Sequence, residues 1–203
     1  IKSAASDVPR IDFSDSTNGV LLLEKAATNL VTYSEDFSQH SILGGTITSD
    51  DIVSPDGGIN ADTFVEDTAN SQHRIREDIN VTAGTYTMSC FIKGTDRFIS
   101  FYPQIAGNAF AVFDIANTTI TKTGGSNYVD SNIQNYGNGW FKCILTYTVS
   151  TGTSALHIYL SNLSTGAGAE APRYTGNGSE MSFYGLQLEQ GSYATSYIPS
   201  LSG

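Results

Sequence analysis

Gly84-Thr-Tyr-Thr-Met-Ser-Cys-Phe-Ile-Lys93 decides the fold. Gly84 reads as a turn, and the nine residues after it alternate. Tyr86, Met88, Cys90 and Ile92 fall on one face of a strand. Thr85, Thr87, Ser89, Phe91 and Lys93 fall on the other, because successive strand side chains point to opposite sides. The first face is the expected core.

The same grammar runs outward from this strand. Ala61 to Val65, Arg74 to Val81, Phe98 to Ile105 and Phe110 to Ile115 read as strands, as do Trp140 to Val149, Ala155 to Leu160 and Met181 to Glu189. Turn signals separate them: Gly107-Asn108, Gly124-Gly125, Gly137-Asn138-Gly139, Thr151-Gly152 and the loop Ser161 to Gly178. Strands at this spacing without helical interludes predict an all-β antiparallel sandwich. The run Val20-Leu-Leu-Leu23 reads as a strand or the start of a helix.

At 203 residues the chain is long enough for one domain with a sizeable core. Charged residues make up only 15%, against 20 glycines, which argues against long surface helices. Ten basic against 20 acidic residues give a formal charge of −10, unfavourable for a phosphate backbone. Nucleic acid is therefore not an expected partner. No run approaches the ~18 apolar residues of a membrane span. The N-terminus lacks the basic-then-apolar pattern of a signal peptide, so the sequence suits a protein made in the cytoplasm and displayed on a particle. It equally suits a mature secreted protein. Two cysteines, Cys90 and Cys143, make no disulfide framework. Both fall on core faces, where a buried thiol behaves as a small hydrophobe. A bridge between them stays open, because it needs a Cβ geometry that sequence does not give.

Catalytic patterns are weak. There is no Gly-x-Ser-x-Gly elbow, and His40, His73 and His157 have no partner visible in the sequence. Asp50-Asp51, Glu66-Asp67 and Glu77-Asp78 are adjacent carboxylates, which a strand sends to opposite faces. Gly166-Ala-Gly-Ala-Glu-Ala171 matches a dinucleotide fingerprint, but Pro172 sits where the required helix would grow. No enzyme activity is expected.

Four segments stand in order: Asn29-Leu30 with Asp36-Phe37, the strand Gly84 to Lys93, Trp140 to Val149 with Ala155 to Leu160, and Phe183 to Leu188. Together they resemble the jelly-roll carbohydrate-binding modules attached to xylanases and glucanases. Further details resemble the versions of this domain in bacteriophage tail fibres and head spikes. Asp12 and Gly19-Val-Leu-Leu-Leu-Glu24 precede Thr28-Asn-Leu30. Ser54-Pro-Asp-Gly-Gly58 precedes Ala61-Asp62. Tyr136-Gly-Asn-Gly-Trp140 introduces the late strands, and Gln187-Leu-Glu189 leads through Gly191-Ser192 into Thr195-Ser-Tyr-Ile-Pro199. The resemblance implies an N-terminal arm or linker over 1–28, a jelly-roll domain over 29–190 and a tail over 191–203. It implies a non-enzymatic module on the virion surface that adheres to cell-surface glycans, as a homotrimer among other phage structural proteins. A purely architectural or trimerising domain is the first alternative. A binding module of a secreted polysaccharide-degrading enzyme is the second.

The expected glycan-facing residues are aromatics and their neighbours on non-core faces: Phe91, Phe98, Tyr102, Gln104, Phe110, His157 and Tyr159. Sugar rings stack on aromatic faces, and amide or charged groups then fix the hydroxyls. Trp140, after its glycine-rich turn, reads as a plug at the end of the sandwich. No cofactor is required. Glu35 and Asp36 are candidate ligands for a structural calcium, which takes carboxylate and backbone oxygens. The resembled modules carry an acidic pair in the last strand, and here that region reads Tyr184-Gly-Leu-Gln187.

Overall fold

The computed structural model describes residues 10–12, 20–22, 24–104, 108–150 and 152–200. The N-terminal arm expected over 1–28 lies largely outside them. So do parts of the turn signals at Gly107 and Thr151, and the end of the strand expected to reach Ile105.

The strands in chain order are β1 (Arg10–Asp12), β2 (Val20–Leu22), β3 (Ser41–Leu43), β4 (Gly45–Val53), β5 (Ile59–Glu66) and β6 (Asn70–Ser71). Then come β7 (His73–Val81), β8 (Gly84–Lys93), β9 (Phe98–Phe101), β10 (Phe110–Asp114) and β11 (Thr119–Gly124). The last are β12 (Tyr128–Gly137), β13 (Trp140–Val149), β14 (Gly152–Ser161), β15 (Tyr174–Thr175) and β16 (Glu180–Gln190). Among the described residues the sole helical element is a 3-10 turn over Phe37–Gln39, capped by the Asp36 side chain, which accepts from the Ser38 N–H. Val20–Leu22 resolves its ambiguity as a strand, paired with Arg10–Asp12.

Two six-stranded antiparallel sheets form a jelly-roll sandwich. The front sheet runs β11-β10-β9-β14-β7-β3 and the back sheet β12-β13-β8-β16-β5-β4. The core between them takes Ile75, Ile99, Phe101, Phe113, Leu156 and Ile158 from the front sheet. From the back sheet it takes Tyr86, Met88, Cys90, Ile92, Leu145, Tyr147, Phe183 and Leu188. This is the register that the alternation in β8 predicts. Cys90 lies directly opposite Cys143 on adjacent strands, and both are free, buried thiols. Burial pushes both thiol pKa values up, which keeps the sulfurs protonated.

Gly185 resets the pattern in β16. The pairing with β8 shifts between Tyr184 and Gln187, a bulge in which one extra residue changes which side faces inward. Phe183, Leu186 and Leu188 thereby all reach the core, although 183 and 186 differ by an odd number. Gly185 has φ +64°, and a Cβ there would come within 3.0 Å of the Tyr197 ring.

The outer face of the back sheet is closed by the chain's own ends. Leu30 N–H donates to Leu188 O at 2.8 Å, Leu186 N–H to Ser34 O at 2.9 Å, and Ser34 N–H to Ser200 O at 2.8 Å. Beneath them Ala61, Phe91, Trp140, Tyr184 and Tyr197 form a second apolar cluster. Trp140 thus packs on a sheet face rather than plugging the sandwich end, and its indole N–H donates to Val53 O. Phe91 corrects the expectation made for it. It does point away from the main core, but it is fully buried, with Tyr136, Tyr184 and Tyr197 around its ring. Alternation gives the side of a strand, not what covers that side.

Candidate functional site

The outer face of the front sheet carries side chains from five neighbouring strands, and the register sets them in rows. One row runs Arg76 (β7), His157 (β14), Tyr102 and Phe110 (β10). The steps are Arg76 opposite His157 and a reciprocal backbone pair between His157 and Tyr102, N to O at 2.9 and 3.3 Å. The Tyr102 and Phe110 ring centres lie 6.3 Å apart. The adjoining row runs Arg74, Tyr159, Ser100 and Val112, with Lys122 on β11 beyond. Strands sit ~4.8 Å apart, so the first row spans roughly 14 Å.

The aromatic groups touch one another. Tyr102 lies 6.2 Å from Tyr159 and 6.4 Å from His157 in edge-on geometry, and His157 lies 5.2 Å from Tyr159. Nδ1 of His157 and the Tyr159 hydroxyl are hydrogen-bonded at 2.6 Å. The two layers differ in exposure. His157 and Tyr159 are each 3% exposed and form a floor, whereas Tyr102 and Phe110 are partly exposed and Gln104 is open to solvent. Gly124 opposite Phe110 leaves room for that ring, since a Cβ there would approach it to 2.6 Å.

The loop Ser161 to Gly178 walls one side, and part of it packs down: Ser100 Oγ donates to Glu170 O at 2.8 Å, and Ala169 is fully buried. Lys122 pairs with Glu170, and its ammonium lies 5.0 Å from the Phe110 ring centre. Burial and the Glu170 carboxylate raise the Tyr102 pKa, so its hydroxyl stays protonated at any ordinary pH. Burial, then Arg74 and Arg76, push His157 down to about 4, which makes it a neutral imidazole near pH 7.

Of the expected site residues, Tyr102, Gln104, Phe110, His157 and Tyr159 therefore gather on one face. Phe98 shares the face by alternation. It stands four residues from Tyr102, beyond Ser100, and makes no ring contact with the group among the described residues. Phe91 belongs to the other sheet. Arg74, Arg76, Lys122 and Glu170 were not anticipated. The two arginines flank Ile75 in a strand that the sequence does reveal, so alternation alone places them outward once Ile75 is core.

Glu35 and Asp36, the expected calcium ligands, have separate protein partners. Glu35 Oε1 accepts from the Tyr184 and Tyr197 hydroxyls, each at 3.1 Å, and its Oε2 from Asn60 at 3.3 Å. Asp36 instead serves the 3-10 turn through Ser38 and Gln39. They border an acidic cleft of about 300 Å³ with Asp50, Asn60 and Asp62. Yet Asp62 is spent on the backbone N–H groups of Phe37 and Asp50. Calcium takes six to eight oxygens, and among the described residues no group of three or more carboxylate, histidine or cysteine side chains has metal-binding geometry. The adjacent carboxylates part as expected: Glu77 turns to His40, and Asp78 to Arg76.

No family model matches the chain. No curated protein matches it. Several solved structures are similar. One is an enzymatically active domain of tailspike protein 4 from bacteriophage CBA120, 11% identical, with a TM-score of 0.46 and 79% of this chain covered. This chain spans 21% of that one. A family 61 carbohydrate-binding module in complex with β-1,4-galactotriose is also 11% identical at a TM-score of 0.46, with 81% of this chain and 99% of that one covered. A carbohydrate-binding module from Cellvibrio mixtus lichenase 5A, in complex with cellotriose, gives 11% identity, a TM-score of 0.41, and coverage of 81% and 99%. Identities and scores this low transfer no activity.

Proposed function

We propose that the protein is a non-catalytic glycan-binding module, and that the outer face of its front sheet is the binding surface. The row Arg76–His157–Tyr102–Phe110 carries this reading. It offers partly exposed rings on a rigid floor, with polar groups at its edges. Such a layout suits stacking against the C–H faces of sugars while hydroxyls are fixed from the side. The sheet backbone holds these groups, so little ordering cost falls on binding.

The segments that resemble phage fibre and spike domains support a finer reading, in which the module is displayed on a virion and binds host glycans in several copies. Single open sites of this kind are weak, and a homotrimer raises their effective concentration without new contacts. The test compares wild type with Tyr102→Ala on a glycan array and on host cells, after confirming fold and oligomeric state. Loss of binding at least tenfold is expected. Unchanged binding overturns the assignment of this face, and absence of any glycan ligand for wild type favours an architectural role.

A further inference from the structure

We propose that the ligand of this face carries carboxylates, as uronic-acid glycans do, and that Arg74 receives them. The inference rests on the glycan-binding reading and adds the chemical class of the sugar.

Arg74 stands out among the basic residues. It lies on β7 directly opposite Tyr159. Its Nε and Nη1 are shielded from solvent and have no hydrogen-bond partner. Arg76 is held by Asp78, Arg97 by Glu66 and Lys122 by Glu170, and Lys142 donates to Thr195 O. Arg74 has no ion pair with any described residue, in a chain with twice as many acidic as basic groups. A second group beside it is equally unserved. His157 is 3% exposed, its Nδ1 is taken by Tyr159, and its Nε2 has no partner.

Buried donors without acceptors are costly, and a charged one more so. A ligand that supplies lone pairs to the Arg74 donors recovers that cost on binding. A guanidinium presents a planar fork that a carboxylate matches with two parallel hydrogen bonds. One uncommitted arginine suits one planar anion of single charge. A sugar hydroxyl would supply a lone pair but would leave the charge uncompensated. The net charge of −10 does not forbid this, because repulsion from distant carboxylates is screened beyond ~8 Å at physiological salt. The neighbouring rings of Tyr159 and Tyr102 would then hold the sugar whose carboxylate Arg74 binds.

The experiment measures binding to uronic-acid oligosaccharides, to their carboxyl-reduced counterparts and to sulfated oligosaccharides of the same backbone. Wild type should prefer the carboxylated series by about tenfold or more, the scale of a charged hydrogen-bond pair. Arg74→Gln should bring that preference close to unity. Tyr102→Ala should lose binding to the carboxylated and reduced series alike. Thermal midpoints give the control: Arg74→Gln should match or exceed wild type, because it removes shielded donors that lack acceptors, whereas a structural arginine would lower the midpoint. Equal wild-type affinity for acidic and reduced sugars, or preference for the sulfated series, overturns the carboxylate assignment and leaves glycan binding standing. Binding to none of the three overturns the glycan reading itself, and this inference with it.

Discussion

Met88 and Thr87 are neighbours that see opposite faces of the back sheet, and both are fully buried. Met88 lies in the main core, so Met88→Ala should cost about 2–5 kcal/mol through lost transfer and cavity terms. Thr87 lies under the C-terminal segment and bonds Thr146 Oγ1 and Gly191 O, each at 3.0 Å. Thr87→Ala should cost roughly 1–2 kcal/mol, the value of leaving those partners short of a hydroxyl. Chemical denaturation ranks the two, and the reverse order would mean that the faces are exchanged. His157 gives a pH test at the same scale. Its pKa is about 4 folded against 6.5 for the free side chain, so the unfolded chain binds more protons between those values. Its contribution to stability is present above pH 6.5 and is lost as pH falls toward 4. Denaturation of wild type and His157→Gln across that window should show the smaller acid loss in the variant.

Strands with one or both faces buried were legible, and polar edge strands were not. Trp140 to Val149 matches its expected limits, and β7, β8 and β16 agree with theirs within one residue. By contrast β4, β11 and β12 carry few apolar residues and lie at sheet edges, where one side of the ladder and most side chains meet solvent. Without a buried face there is no alternation to read. The hairpin from β12 to β13 was visible only as its turn, Asn138-Gly139, where φ values of +52° and +81° suit a two-residue loop. The candidate site was half legible for a related reason. Alternation placed Tyr102, Phe110, His157 and Tyr159 outward, but only sheet order could separate them from Phe91. Lys142 on β13 shows what closing a face does to a charge. It is 3% exposed beneath Thr195, and burial lowers its pKa to about 8 against the pull of Glu189 and Glu24. Between pH 8 and 10.5 the unfolded chain binds more protons at this position, so its penalty lifts as pH rises. Stability of wild type relative to Lys142→Met should therefore climb by up to about 3 kcal/mol across that range, measured as the difference between urea curves. A flat difference would mean that water reaches the ammonium.

The whole molecule is asymmetric: one outer face is closed by the chain ends and the other is open. The segment from residue 191 was expected as a tail, yet it supplies much of that closure. Tyr197 is 6% exposed and rests over Gly185, its hydroxyl lies 2.6 Å from Ser34 Oγ, and Ile198 N–H donates to Gln187 Oε1 at 2.7 Å. Glu189, 1% exposed, accepts from both the N–H and the hydroxyl of Thr195. Truncation after Gln190 would bare Phe91, Trp140 and Tyr184 on one side of the back sheet. Full burial of a large side chain is worth about 1.5–3 kcal/mol, so the apolar loss alone reaches several kcal/mol. Part of it returns, because water would now solvate Lys142 and Glu189, whose burial is unfavourable. The truncated chain should therefore remain folded around its main core, with a midpoint lower by several degrees and a newly exposed apolar face that binds a hydrophobic dye. On the proposed glycan-binding reading its front face should keep wild-type affinity, since no residue of the Arg76-to-Phe110 row is touched. A truncated protein with an unchanged midpoint would show that the segment contributes no net stability. One that stays folded but loses binding would place the glycan site on the closed side of the sandwich.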